Sequence, residues 1–280
     1  MLNYWWVTRP KRKLDSIPAI LSCFSDVCLN CEWQGNMYTH LAFEEALEQA
    51  GLKRVGERKD QRGGGGRTYF AWLSSLGLVY KENATGRARL TEAGEDVVNS
   101  GDPEGALRNQ VLNYQFPSPF SLSPASTKTR VHDRFRIRPF RFLLKLLCDE
   151  RIDKRLTNEE IGRVVAVSAC DETDETYEAV IQMILCYRED GVASLPEDYF
   201  TQYSPSSGKV NILHPYSHLD DLANTMINWL EYTRYIVRSG SEVRINSDYG
   251  ENVRELLKDK SELISGADNQ EDFQKKYGSI

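Results

Sequence analysis

The stretch Arg62-Gly-Gly-Gly-Gly-Arg-Thr-Tyr-Phe-Ala-Trp-Leu73 joins four consecutive glycines to an apolar helical repeat. Tyr69, Trp72, Leu73 and Leu76 keep the i, i+3, i+4, i+7 spacing of one helical face. Thr68 reads as the N-cap of that helix and Gly77 as its stop. The glycines admit three readings. A glycine-rich turn ahead of a helix N-terminus can cradle a phosphate. A nucleotide loop, however, needs Lys-Ser/Thr after the glycines and a strand before them, and this chain has neither. A plain surface loop is the second reading. The third is a segment, set between Arg62 and Arg67, that folds onto a nucleic-acid backbone and becomes ordered there.

The neighbouring elements favour the third. Upstream, Phe43, Ala46, Leu47 and Ala50 mark another amphipathic helix that closes at Gly51. Downstream, "LVY" (Leu78 to Tyr80) and "RARL" (Arg87 to Leu90) flank "KENATG" as a β-hairpin, and Thr91 caps the helix after it. Helix, loop, helix, hairpin is the order of a winged helix, whose second helix enters the DNA major groove. On the helix from Thr68, the face opposite the core repeat carries Ala71, Ser74 and Ser75, side chains small enough for close approach to DNA.

A second set follows a connection rich in Pro, Ser and Arg. Phe140, Leu143, Leu144 and Leu147 share a face, and Thr157-Asn-Glu-Glu160 is a capping box. Tyr177, Val180, Ile181 and Ile184 form another face, and Leu222, Met226, Trp229 and Leu230 a longer one. Tyr235 to Ile245 reads as a second hairpin, and Val253, Leu256 and Leu257 close the pattern. The expected fold is mainly α with small β-hairpins, an α+β chain of two winged-helix-like subdomains. The expected boundaries are 1–118 for the first subdomain, 119–139 for the basic connector and 140–280 for the second.

Composition sets the outer limits. The chain has 280 residues, 40% apolar and 27% charged, which fits a soluble globular protein of about two domains. A net charge of −6 excludes a uniformly basic nucleic-acid binder. The cations nevertheless cluster. Arg9, Lys11, Arg12 and Lys13 form one island without an acid; Lys53, Arg54, Arg58, Lys59, Arg62 and Arg67 form a second; Lys128, Arg130, Arg134, Arg136, Arg138 and Arg141 form a third. These islands are expected to meet on one DNA-facing surface. No apolar run reaches the ~18 residues of a membrane span, and no signal peptide is visible. The six cysteines therefore read as reduced thiols of a cytoplasmic protein.

Other constellations carry less. Cys23, Cys28 and Cys31, with His40 nearby, offer a zinc set, but the second ligand pair is missing. Cys23 also falls in the apolar pattern of Ile20, Leu21 and Phe24, so buried thiols are the favoured reading. The best nuclease-like triplet, Glu57-Arg58-Lys59, lies beside the glycines rather than on an apolar strand. No residue is assigned a catalytic role. The acids of "DETDETYE" (Asp171 to Glu178) suit the first turn of a helix. Trp5 and Trp6 read as core anchors for the basic arm Arg9 to Lys13.

The opening "NYWWVTRPKRKL" (Asn3 to Leu14) resembles the AlwI family of type IIS restriction endonucleases and their nicking relatives. The resemblance continues through "LGLVYKENATGRARLTEAGEDVV" (Leu76 to Val98), "LNYQFPSP" (Leu112 to Pro119) and "RPFRFLLKLL" (Arg138 to Leu147). It ends with "LEYTRYIVRSGSEVRINS" (Leu230 to Ser247) and "DFQKKYG" (Asp272 to Gly278). It implies a DNA-recognition region of two winged-helix-like parts, followed in such enzymes by a Mg²⁺-dependent PD-(D/E)xK cleavage domain. This chain is accordingly expected to be the recognition half, with no cofactor of its own and Mg²⁺ belonging to the cleavage domain.

The expected partner is duplex DNA with a short asymmetric site, bound by a monomer. Phosphate contacts are expected from Arg9, Lys11, Arg12, Lys13, Arg58, Lys59, Arg138 and Arg141. Groove contacts are expected from Gln61, Arg62, Arg67, Ser74 and Ser75, and from Arg130, His132, Arg134 and Arg136, and Thr68 is expected at the DNA as well. The runner-up is a stand-alone winged-helix transcriptional regulator, dimeric on a palindrome.

Overall fold

A computed structural model describes residues 1–55, 61–99, 101–118, 131–205, 208, 210–264 and 270–279. The chain opens with helices α1 (Ile17–Cys28), α2 (Met37–Gln49) and α3 (Gly64–Ser75), then hairpin strands β1 (Val79–Lys81) and β2 (Ala88–Leu90). Helices α4 (Glu92–Asn99), α5 (Pro103–Leu112) and α6 (Pro139–Leu146) follow. Strand β3 (Leu156–Thr157) leads into a π-helical segment, Glu160–Val165, and then α7 (Ala166–Ser168). The remainder is α8 (Asp174–Asp190), α9 (Tyr199–Gln202), α10 (Ser217–Tyr232), β4 (Ile236–Ser239), β5 (Glu242–Ile245), α11 (Gly250–Lys258) and α12 (Gln270–Tyr277). The protein is thus mostly helical with small antiparallel sheets. No helix among the described residues is long and apolar enough to cross a membrane.

Two compact units divide the chain, and neither is contiguous. The first holds Thr8–Val111, Ser118–Ser123 and Ile264–Ile280; the second holds Met1–Val7, Leu112–Pro117 and Pro124–Leu263. The expected contiguous boundaries are therefore corrected at both termini. The aromatic opening belongs to the second unit, and the last helix to the first.

In the first unit α2 packs against both α1 and α3, as the expected apolar faces require. Its centre is aromatic: Trp33 stacks on Phe70 at 4.2 Å, and Phe24 meets Phe43 edge-on at 5.6 Å. The hairpin pairs Val79 with Leu90 and Lys81 with Ala88. A two-stranded ribbon is marginal alone, and here a bridge from Glu32 to Arg87 extends it. Thr91 caps α4 as expected, accepting from the Gly94 N–H at 3.1 Å. Helix α12 packs on β1, with Tyr277 fully buried and the Gly278 carbonyl accepting from the Ala93 N–H at 2.7 Å.

The second unit repeats this plan with a three-stranded sheet in the order β3-β5-β4. Trp229 of α10 stacks on Phe140 of α6, with Tyr114 edge-on at 5.9 Å. The capping box forms as expected: Glu160 accepts from the Thr157 N–H at 2.7 Å, and Thr157 Oγ1 accepts from the Glu160 N–H at 3.2 Å. Trp5 is fully buried in this unit and donates its indole N–H to the Ala169 carbonyl at 2.8 Å. In both units the segment after an early helix pairs with the second strand of a later hairpin.

Candidate nucleic-acid interface

The four glycines are not a loop that waits for DNA. Helix α3 begins at Gly64, a turn before the expected cap at Thr68, and its own N-cap is Gly63 at φ +75°. The reason is space. A Cβ at Gly63 would lie 2.7 Å from the His40 carbonyl carbon and 2.8 Å from the Leu41 nitrogen, and one at Gly66 would strike the His40 oxygen. Glycine lets the first turn of α3 lie directly on the backbone of α2.

That turn also has its anion already. Glu44 of α2 is 3% exposed and accepts from the Gly65 N–H at 3.2 Å. Lys53 holds it, with Nζ 2.9 Å from Glu44 and 2.7 Å from Glu48. Burial works against the Lys53 charge, but the hydrogen bonds it donates to Glu48 and Glu44 outweigh it and raise the pKa above the ordinary lysine value. A protein carboxylate thus occupies the place where a phosphate would meet the helix dipole, which overturns the phosphate-cradle reading as well.

An exposed polar edge remains at the N-terminal end of α3. Gln61, Arg62, Arg67 and Thr68 all face solvent. Arg67 reaches back to donate to the Arg62 carbonyl at 2.5 Å, and Thr68 donates to the Gly64 carbonyl at 2.9 Å. Further along the helix the expectation fails. Ser74 is 2% exposed and Ser75 is 0% exposed, and Ala71 is buried too. Ser74 Oγ accepts from Gln274 of α12, while Ser75 donates to the Trp72 carbonyl at 2.8 Å. A helix from the far end of the chain engages the face that was expected to meet DNA.

In the basic arm, Arg12 and Lys13 are exposed while Arg9 and Lys11 are half-buried. Arm and tryptophan anchor fall in different units, since the chain passes from one to the other between Val7 and Thr8. Arg58, Lys59 and Arg130, like the Glu57 triplet, lie outside the described residues.

The third island divides. His132 and Arg136 are exposed. Arg134, Arg138 and Arg141 are corrected to structural roles. Arg134 donates to the carbonyls of Asn3 at 2.9 Å and Val167 at 2.7 Å. Arg138 grips Glu172 through Nε at 2.9 Å and Nη2 at 2.6 Å. Arg141 joins the Leu112 carbonyl at 3.1 Å, Asp259 at 2.8 Å and the Asn113 amide oxygen. A guanidinium has five donors in a rigid fork, so it can tie distant carbonyls and carboxylates together inside a fold. The Arg141 bond is the main reason the Asp259 carboxyl is held down at about 2. Arg138 and Arg141 line a cleft of about 660 Å³ with Arg136, Lys145 and Lys260, in which Asp171, Glu172, Asp259 and Glu262 offset the cations.

The cysteine set does not assemble. Cys28 is buried with its thiol toward the Thr39 carbonyl, and Cys31 turns to the Val27 carbonyl. Burial, reinforced by Cys31, pushes the Cys28 thiol up to about 12. His40 bonds the Trp33 carbonyl at 2.8 Å and packs on that indole. Among the described residues no group of three or more His, Cys, Asp or Glu side chains could hold a metal ion.

The hairpins carry cations that the search for charge runs passed over. Arg87 is exposed just before β2, and Arg244 is exposed on β5. Arg89 and Arg87 stand two apart, as do Arg244 and Glu242, and a period of two puts such pairs on one strand face. That spacing was the available signal.

Fold and exposed cations define a class: an α+β protein of two helix-and-hairpin units, with arginines at the start of a central helix. The chain belongs to the AlwI restriction endonuclease family, whose family model matches residues 74–279. It is similar in fold to the BpuJ1 endonuclease binding domain, solved in complex with pyrene- and phenanthrene-modified DNA. That likeness has a TM-score of 0.63 at 15% identity and covers 97% of this chain and 96% of the other. No curated protein matches.

Proposed function

We propose that this chain reads duplex DNA at a short asymmetric site, as the recognition region of a type IIS restriction or nicking endonuclease. The observation that carries this is the exposed edge of Gln61, Arg62, Arg67 and Thr68 at the head of α3, in a chain of the AlwI family. Recognition helices contact base edges with their N-terminal residues. Arginine suits guanine and glutamine suits adenine in the major groove. Lys11, Arg12 and Lys13 supply phosphate contacts, and the β1–β2 hairpin serves as a wing through Arg87. The helix-and-hairpin order of each unit supports a winged-helix description, and the DNA held by the BpuJ1 domain supports the choice of partner.

Two unlike units suit an asymmetric site read by one copy of the chain. Strand cleavage in such an enzyme is Mg²⁺ chemistry. The residues of this interface support recognition, and no bond-breaking step is derived.

The test is selection from a random duplex library with the purified chain. One asymmetric motif should be enriched, with affinity falling about 10³–10⁵-fold between 50 and 200 mM salt if some 6–10 phosphates are contacted. A palindromic motif, or no enrichment in dilute buffer, overturns the proposal.

A further inference from the structure

The second unit holds a cavity of about 450 Å³ whose lining includes none of the described residues of the three basic islands. Leu147 and Ile245 form apolar wall, Cys148 offers a thiol, and among the described residues Lys154, Arg244 and Arg254 are the charged ones in the lining. The three cations come from separate places: Lys154 just before β3, Arg244 on β5 and Arg254 on α11. Like charges gathered round one hollow repel each other, and an anion in the hollow removes that cost.

Each cation does have a carboxylate, and Arg244 also donates to the Asp153 carbonyl at 3.1 Å. Lys154 pairs with Glu150 at 2.8 Å, Arg244 with Glu242 at 3.3 Å and Arg254 with Glu251 at 2.6 Å. None of these acids lines the cavity. Exposed pairs of this kind contribute about 0–1 kcal/mol, so a phosphate can take over the donors at little cost. Two guanidinium forks and an ammonium match phosphate oxygens in number and geometry. The thiol reports the same convergence: burial raises the Cys148 pKa, while Arg254 and Lys154 pull it back down.

We infer that this cavity seats a backbone phosphate of duplex DNA, giving the second unit a contact beside its β4–β5 hairpin. The inference rests on the DNA-binding function proposed above. Inorganic phosphate offers the same chemistry from another source, so both probes are needed.

The measurement is iodoacetamide labelling of Cys148, read by peptide mass mapping. Labelling is followed with no addition, with a random-sequence duplex at low salt, and with inorganic phosphate. The duplex should slow labelling of Cys148 severalfold and leave the exposed Cys186 of α8 unchanged. Joint replacement Arg244→Ala and Arg254→Ala should weaken duplex binding about tenfold and flatten the log–log salt slope by about 0.9, the value for one phosphate lost. Lys154→Gln should give about half that flattening, and it checks that the double change has not acted through misfolding.

If the wild type binds duplex while Cys148 stays unprotected and the variants keep its slope, the inference is wrong and the recognition function stands. Protection by phosphate but not by a bound duplex overturns the assignment to DNA. Should the wild type bind no duplex, the recognition function fails, and the phosphate experiment alone decides whether the cavity takes an anion.

Discussion

Arg67 and Ser74 lie seven residues apart on α3 and have opposite fates. Arg67 is exposed at the head of the helix, and Ser74 is closed off by Gln274. Arg67→Ala should weaken cognate binding by about 1–3 kcal/mol and random-duplex binding much less. Anisotropy titrations on both duplexes measure the difference, and equal losses would make Arg67 a backbone contact. Ser74→Ala should leave duplex affinity unchanged. It strands the amide of Gln274, itself 2% exposed, which costs about 1–3 kcal/mol and is measurable by urea unfolding. Both residues are polar, near the same glycines and on the same predicted helix. Nothing in the local sequence separates them, because the residue that buries Ser74 is 200 positions away.

At the scale of elements, the crossing of α2 and α3 depends on glycine for two different reasons. Gly51 ends α2 at φ +67° with open space around it, so it answers to backbone conformation alone. Gly66 has no such φ, but its missing side chain is what admits the His40 carbonyl. Gly66→Ala should destabilise the first unit by about 1–3 kcal/mol or more through overpacking. Gly51→Asn should cost far less, since asparagine tolerates the left-handed region. Denaturation midpoints of the two variants compare the effects, and similar losses would mean that α3 can withdraw from α2. The capping box and both hairpins were legible because their signals are local. The start of α3 was not, because polyglycine carries no helical preference and only contact with α2 makes it one.

At the scale of the molecule, α12 belongs to a unit that its sequence position does not suggest. Phe273 and Tyr277 are buried in the first unit, on the side of β1. Each buried aromatic contributes about 1.5–3 kcal/mol. Ending the chain after Leu263 should therefore loosen α3 and β1, while α8 and α10 keep their protection. Hydrogen exchange resolved by segment reads this directly, and loss of protection in α8 and α10 instead would contradict the division. The second unit has its own acid sensitivity. Hydrogen bonds, from Arg151 above all, hold Asp149 at about 2 rather than 3.8, and Asp259 is held at about 2 by Arg141. Both folded values are lowered, so their stabilisation is complete above about pH 4 and is lost as pH falls toward about 2. Asp149→Asn should flatten that stretch of the stability curve.

The sequence by itself determined the helix faces, the hairpins, the caps and the resemblance to the AlwI family, since each depends on residues within a turn or strand of one another. It also pointed to the arginines at the head of α3. Only the tertiary structure decided which cations are spent inside the fold, as Arg134, Arg138 and Arg141 are, and which remain at the surface. Only it joined residues 270–277 to the first unit and gathered Lys154, Arg244 and Arg254 around one cavity. The physical reason is the same in each case. A side chain's charge and size are properties of the residue, but its burial depends on partners that the chain brings from far away, and periodicity carries no record of them.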